Sequence, residues 1–256
     1  MTIRVFVKEL DRLYPRSLSA SWDNDGLMCC ADDTKEVRRV LVSLDATRAA
    51  IRYAAENGYD VLLTHHPMIF RGEKAITQDR LSGGRAILAL QNGVSVISLH
   101  TRLDAGEGGV NDCICKLLGL ANVVPFGDED CPTIGRIGTV PLFTHLGHSY
   151  FWPTVKLKLG LPYLETANDH YVYRVAVVGG AGDDLLEAAK AAGADTFITG
   201  EMGYNRMEDA AEMGMNILVC GHYFTEVPVC ERLAELARTI AGAEVGCYSS
   251  NPVVIR

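Results

Sequence analysis

Arg39-Val40-Leu41-Val42, then Gly58-Tyr59-Asp60-Val61-Leu62-Leu63-Thr64, is the stretch that decides the fold, because the chain writes it twice. Arg174-Val175-Ala176-Val177 and Gly193-Ala194-Asp195-Thr196-Phe197-Ile198-Thr199 repeat both blocks at one offset of 135 residues. Between the blocks lie the Ala-rich segments Ala49 to Asn57 and Leu185 to Ala192, which read as amphipathic helices ending at glycine. A further helix-like segment and a third apolar run follow in each half, Gly93 to Ser98 and Gly214 to Val219. The apolar runs are short, β-branched and almost uninterrupted, as strands covered on both faces are. Each half thus reads strand, helix, strand, helix, strand, and right-handed crossovers make the strands parallel. The expectation is an α/β protein of two similar lobes, residues 1–125 and 126–256, with the C-terminal tail able to pack back on the first. Ile3 to Leu13 has helical spacing, and Cys131 to Gly138 reads as short, partly antiparallel strand. An insertion around Ile69 to Gly84 is expected to be a loop overhanging the strand ends.

The 256 residues carry a net charge of −8, with 48% hydrophobic and 22% charged residues, which is ample material for a core without covalent staples. No basic stripe is present, and Arg38-Arg39 is the only adjacent pair of cations, so composition argues against nucleic acid as the main partner. The N-terminus lacks the apolar core of a signal peptide, and Lys8, Glu9, Asp11 and Arg12 interrupt it. The longest stretch without Asp, Glu, Lys or Arg, Ile137 to Val155, contains His, Pro and Gly and does not read as a membrane span. A cytoplasmic protein is expected. Its eight cysteines lack C-x-x-C spacing and read as reduced packing residues.

Ligands of open α/β sheets gather beyond the carboxyl ends of the strands. The second strand of the first half ends in Thr64-His65-His66-Pro67, and the third in His100-Thr101-Arg102-Leu103-Asp104. In the second half the corresponding ends are Gly200-Glu201 and His222-Tyr223-Phe224-Thr225-Glu226, which repeats the His-x-x-x-acid spacing. Imidazole with carboxylate suits zinc, iron, manganese, nickel or magnesium, and no thiolate set competes. His65, His66, Asp104, His222 and Glu226 exceed what one tetrahedral ion needs, so two divalent ions per chain are the economical reading. Such pairs sit about 3.5–4 Å apart with a shared carboxylate and water. Pro67 biases His66 towards an extended backbone, which helps adjacent rings diverge to different ions. His100 is open between ligation and a hydrogen bond to a ligand or substrate. His145, His148 and His170 fall outside the pattern and read as structural.

Other segments are weaker. Val177 to Asp184 leads a strand through glycines into a helix but lacks the third glycine of a dinucleotide loop, so it reads as a turn with Asp183 or Asp184 as cap. Ser21-Trp22-Asp23-Asn24-Asp25-Gly26-Leu27 reads either as an Asx-stabilised turn with Trp22 over the core or as a wall of the site with Asp23 or Asn24 facing substrate.

The Trp22 turn, Thr64-His65-His66-Pro67, His100 to Asp104, Gly109-Val110-Asn111-Asp112, Thr199-Gly200-Glu201 and Gly221 to Glu226 occur in the order found in the Nif-three-like family. The chain resembles that family, whose bacterial members are named GTP cyclohydrolase 1 type 2 homologues, from the first helix to Ala237. The resemblance implies two α/β lobes facing a cleft with a dinuclear metal site, assembled as a hexameric toroid. It assigns His65 and Asp104 to one ion, His66 and His222 to the other, and Glu226 to both. Met28-Cys29-Cys30 and Arg102 depart from the family pattern and are expected to tune the pocket. The implied activity is metal-dependent hydrolysis of a nucleotide-like small molecule, with Glu226 orienting water and His100 as a second catalytic candidate. The alternative is a non-catalytic metal-binding or regulatory scaffold using the same ligands.

Overall fold

The computed structural model describes residues 1–141 and 148–253, and the chain divides into two compact units. One comprises Met1–Leu103 with Val229–Pro252, and the other takes in Asp104–Pro228. The division therefore falls at Leu103/Asp104 rather than at the expected 125/126. The strand beyond Leu118 explains part of the difference, because it is hydrogen-bonded into the second unit's sheet. His145 lies outside the described residues, as does the side chain of His148.

The first unit is built on five strands: β1 (Gly26–Cys29), β2 (Arg39–Ser43), β3 (Val61–Thr64), β4 (Ser95–Ser98) and β11 (Glu244–Cys247). Their order is β1-β4-β3-β2-β11. Strands β2, β3 and β4 are parallel, β1 is an antiparallel edge, and β11 lies parallel to β2. Val40, Leu41, Val42, Val61, Leu62 and Leu63 have no exposure at all, the mark of strands covered on both faces. Alternate residues Leu41, Leu62 and Val96 pack with Ala50, Ile51 and Ala54 of α2 (Arg48–Glu56) and Ala86 and Ala89 of α3 (Leu81–Gln91). Helices α1 (Ile3–Leu13) and α10 (Val229–Ala241) pack on one another, and α10 packs on β2 and β3. Thr2 caps α1, its hydroxyl accepting from the Val5 amide, and Ile3, Phe6 and Leu10 form its buried stripe.

The second unit carries β5 (Ala121–Phe126), β6 (Gly135–Thr139), β7 (Glu165–Ala167), β8 (Arg174–Ala181), β9 (Thr196–Glu201) and β10 (Asn216–Val219) in the order β5-β6-β8-β9-β10-β7. Strands β8, β9 and β10 are parallel, with β6 antiparallel to both β5 and β8 and β7 antiparallel to β10. Helices α5 (Val110–Leu118), α6 (His148–Leu159), α7 (Leu186–Ala191) and α8 (Tyr204–Glu212) belong to this unit.

The repeat thus yields β2-α2-β3-α3-β4 and β8-α7-β9-α8-β10. Its glycines Gly58 and Gly193 close the first helix of each half at φ +68° and +85°. Its aspartates do the same work in both halves. Asp60 Oδ2 accepts from the amides of Arg38 and Arg39 at 2.9 and 3.0 Å, and Asp195 Oδ2 from those of Tyr173 and Arg174 at 3.1 and 2.7 Å. Each carboxylate fastens the start of the neighbouring strand.

Two local expectations change. Gly83 and Gly84 belong to α3 rather than to the preceding loop; a Cβ on Gly84 would come within 2.8 Å of the Gln78 carbonyl, so glycine lets the loop backbone lie against the helix. Asp183 and Asp184 start a 3-10 turn and make no side-chain cap to it or to α7, whose capping position is Leu185.

No disulfide joins any of the eight cysteines. Burial pushes the Cys29 thiol up to about 11 and those of Cys115 and Cys220 up to about 12, whereas Cys247 is exposed. A thiol reagent at pH 8 should therefore label Cys247 first and leave Cys29, Cys115 and Cys220 unmodified until denaturant is added. Peptide mapping that found Cys115 or Cys220 labelled in the native protein would contradict the packing described.

Candidate metal centre

The carboxyl ends of β3 and β4 deliver three histidines of the first unit to one place. His65, His66 and His100 each offer a ring nitrogen within 4.8 Å of the others, and their ring centroids are 5.0–5.8 Å apart. His65 is fully buried, and its Nδ1 lies 2.9 Å from the Leu99 carbonyl oxygen. A carbonyl only accepts, so Nδ1 carries the proton and Nε2 presents the lone pair. His66 Nδ1 lies 2.8 Å from Asp45 Oδ1, and the His66 amide donates to the Leu44 carbonyl, which ties this residue to the exit of β2. Thr64 Oγ1 donates to the His66 carbonyl at 2.8 Å and closes the turn.

His100 Nδ1 lies 2.8 Å from Asp23 Oδ1, while Asp23 Oδ2 accepts from the Thr101 amide and hydroxyl. Burial pushes the Asp23 carboxyl up, but the bond and charge of His100, together with the Thr101 bonds, outweigh it and hold the group down at about 2. Asp23 is thus an anchor for His100 and ionised at neutral pH. Its neighbour Asn24 donates to the Ile69 carbonyl. Trp22 does not cover the core: it is 58% exposed and meets His100 edge to face.

The division between the units falls within helix α4 (Thr101–Ala105), leaving Asp104 buried as the second unit's first residue, and α9 (His222–Glu226) follows β10 after two intervening residues. His222 Nδ1 is 3.0 Å from Glu201 Oε1 at the end of β9, and its Nε2 is 3.0 Å from Glu226 Oε2. Gly180, at φ +65°, makes room for this pair, since a Cβ there would lie 2.2 Å from Glu226 Oε1 and 3.3 Å from His222 Nε2. Thr225 Oγ1 accepts from the Gly180 amide at 3.1 Å and fixes the approach.

The His-x-x-x-acid segments are equivalent in sequence but not in register. Ser95 and Asn216 occupy matching positions in the two sheets, opposite Val61 and Thr196. Counting from them, His222 aligns with Thr101, so His100 precedes its helix whereas His222 opens one. His170 stands exposed, its backbone paired with the Asn216 side chain, away from these groups as expected.

Arg102, Cys29 and Cys30 do not reach the histidines. Arg102 is buried and turned towards α1, with Nη1 2.6 Å from Asp11 and 2.9 Å from the Tyr14 carbonyl, and Nε 3.1 Å from Asp25. Cys29 pairs with Val96 near the amino end of β4 and packs on the α2–α3 core, while Cys30 accepts from the Ser95 hydroxyl. The antiparallel direction of β1 carries them away from the carboxyl ends.

The roles of several supporting residues escaped the sequence reading, although Asn111 and Asp112 stand in one of the motifs. Asp45 follows the first strand of its half, a position equivalent to those of the histidines after the second and third. Asn111, fully buried, donates to the Ile134 carbonyl and accepts from the Gly179 amide at 2.8 Å, bracing α5 against β8 beside Glu226. Arg136 donates to the Ala105 and Gly106 carbonyls at 3.0 and 2.9 Å and pairs with Asp112, holding the chain just after Asp104. A single arginine or asparagine carries no spacing signal, so only the fold reveals these roles.

The comparisons agree with this architecture. The model of the Duf34/NIF3 (NGG1p interacting factor 3) family matches residues 1–252. A protein of Clostridium perfringens named GTP cyclohydrolase 1 type 2 homolog is 32% identical over 96% of this chain and 94% of its own length. Two solved structures share the fold: a Staphylococcus aureus protein with TM-score 0.90 at 21% identity (100% and 98% of the two chains) and a Bacillus cereus protein related to NIF3 with TM-score 0.86 at 22% identity (100% and 99%). The fold and site define an α/β protein of two related sheets whose strand ends carry histidine and carboxylate donors. The chain belongs to the Duf34/NIF3 family.

Gly180→Ala tests the close approach. The added methyl would have to displace Glu226, and the left-handed backbone alone costs about 1–2 kcal/mol for a residue with a Cβ. A lower thermal midpoint is expected than in Gly214→Ala, where a Cβ meets nothing within 4 Å. Equal thermal midpoints for the two variants would contradict the cradle.

Proposed function

We propose that the chain is a dinuclear metal-dependent hydrolase of a nucleotide-like small molecule, working as a cytoplasmic homohexamer. His65 and Asp104 would hold one divalent ion, His66 and His222 the other, and Glu226 would be shared by both. In support, His65, His66 and His100 of the first unit are, among the described residues, a set that could hold a metal ion, and in the second unit His222 Nε2 lies 3.0 Å from Glu226 Oε2. The donor chemistry fits, since imidazole and carboxylate accept zinc, iron, manganese or nickel.

The observation that carries the reading is a shared ring orientation. In all four histidines Nδ1 faces an oxygen: the Leu99 carbonyl for His65, Asp45 for His66, Asp23 for His100 and Glu201 for His222. Metal-binding histidines are held in this way, with the far nitrogen directed at the ion.

Divalent ions held there would supply Lewis acidity and lower the pKa of water towards neutrality. Asp45, Glu201 and the Leu99 carbonyl fix the ring orientations, and Glu226 orients the attacking water. His100, its Nδ1 proton committed to Asp23, offers Nε2 to the substrate. The name shared by the bacterial relatives makes purine ring opening of GTP the first reaction to assay. No helix among the described residues is long and apolar enough to cross a membrane.

Elemental analysis should find two ions per chain in the parent protein and a loss of both in Glu226→Ala, because the shared ligand is gone. Retention of two ions by that variant overturns the bridging role. Metal-loaded protein that converts neither GTP nor any member of a nucleotide panel overturns the hydrolase in favour of a metal-binding scaffold. Light scattering that gives a mass other than six chains overturns the hexamer.

A further inference from the structure

Trp22 and Phe70 stand 58% and 43% exposed, yet the segments that carry them are tied down. The Trp22 turn is closed by the Asp23 amide on the Ala20 carbonyl at 3.0 Å and fastened to β4's exit through Asp23, His100 and Thr101. Asn24 donates to the carbonyl of Ile69, so the loop presenting Phe70 is joined to the turn presenting Trp22. The two rings lie 6.0 Å apart at 70°, and His100 is 6.3 Å from Trp22 at 74° and 6.0 Å from Phe70 at 90°. Three rings meeting edge to face make a corner rather than a closed stack, and two of them, Trp22 and Phe70, keep much of their surface open to water. The corner is continuous with the histidine group, because the His100 ring is 5.3 Å from His65 and 5.8 Å from His66.

We propose that Trp22 and Phe70 form a subsite for the flat heteroaromatic ring of the substrate, a nucleobase being the ligand class, holding it beside His100. The inference rests on the reading of the site as one that acts on a nucleotide-like molecule. An indole face accepts any π-face, and such stacking tolerates different bases.

The chain has two tryptophans, so Trp152→Phe leaves Trp22 as the sole indole reporter. In that background, GMP should quench tryptophan emission saturably and ribose phosphate should not. By calorimetry, Trp22→Ala should weaken GMP binding about tenfold, Trp22→Phe should retain most of it, and metal content should be unchanged in both. Because Trp22 is exposed, its substitution should leave the thermal midpoint where it was. Metal content measured on the same samples separates this proposal from the metal-centre reading. Quenching by GMP in protein depleted of metal still supports the subsite. Metal-loaded protein whose emission GMP leaves unchanged overturns it, as does a Trp22→Ala variant that binds GMP as tightly as its parent, or ribose phosphate that quenches as well as GMP.

Discussion

Two parallel strands cannot be joined by a tight turn, and the rest of this structure follows from that constraint. The chain must cross over through a helix between β2 and β3, between β3 and β4, and again at β8, β9 and β10. Helices then cover the sheet faces, the strands become apolar throughout, and polar chemistry is confined to the strand ends. His65, His66 and His100 follow β3 and β4, while Glu201 ends β9 and His222 follows β10. Asp60 and Asp195 fix the opposite ends by gathering the amides of adjacent strand starts.

With the strand ends placed, the rings still need orientation. A histidine side chain has two rotatable bonds and two nitrogens, and one hydrogen bond at Nδ1 settles both the rotamer and the tautomer. The oxygens that do this come from different levels of structure. Leu99 supplies a backbone carbonyl, Asp45 the exit of a neighbouring strand, Glu201 the end of β9, and Asp23 a turn remote in sequence from His100. Glycine at 180 is the steric counterpart, because only a missing Cβ lets Glu226 and His222 lie against β8.

The strand–helix alternation, the parallel cores and the ligand candidates were legible in the sequence because they follow from local periodicity and from repetition. Strand runs of Val, Leu and Ile have few alternatives once glycines bracket them, and the histidines stand directly after those runs. Features set by long-range partners were not legible. Arg102 sits between two candidate site residues in sequence, but Asp11 and Asp25 draw its guanidinium towards α1. Cys29 is carried to the far end of the sheet by the antiparallel direction of β1. The one-residue difference in phase between His100 and His222 emerges only when both are counted from strand register.

The sequence by itself determined two strand–helix–strand–helix–strand halves and a set of histidines and carboxylates at their strand ends, since period and punctuation are written locally. Only the tertiary structure decided which nitrogen each histidine presents, where the compact units divide, and that Trp22 faces water beside His100 rather than covering the core. Those outcomes depend on partners distant along the chain, and a hydrogen bond or ring contact across such a separation leaves no pattern in sequence order.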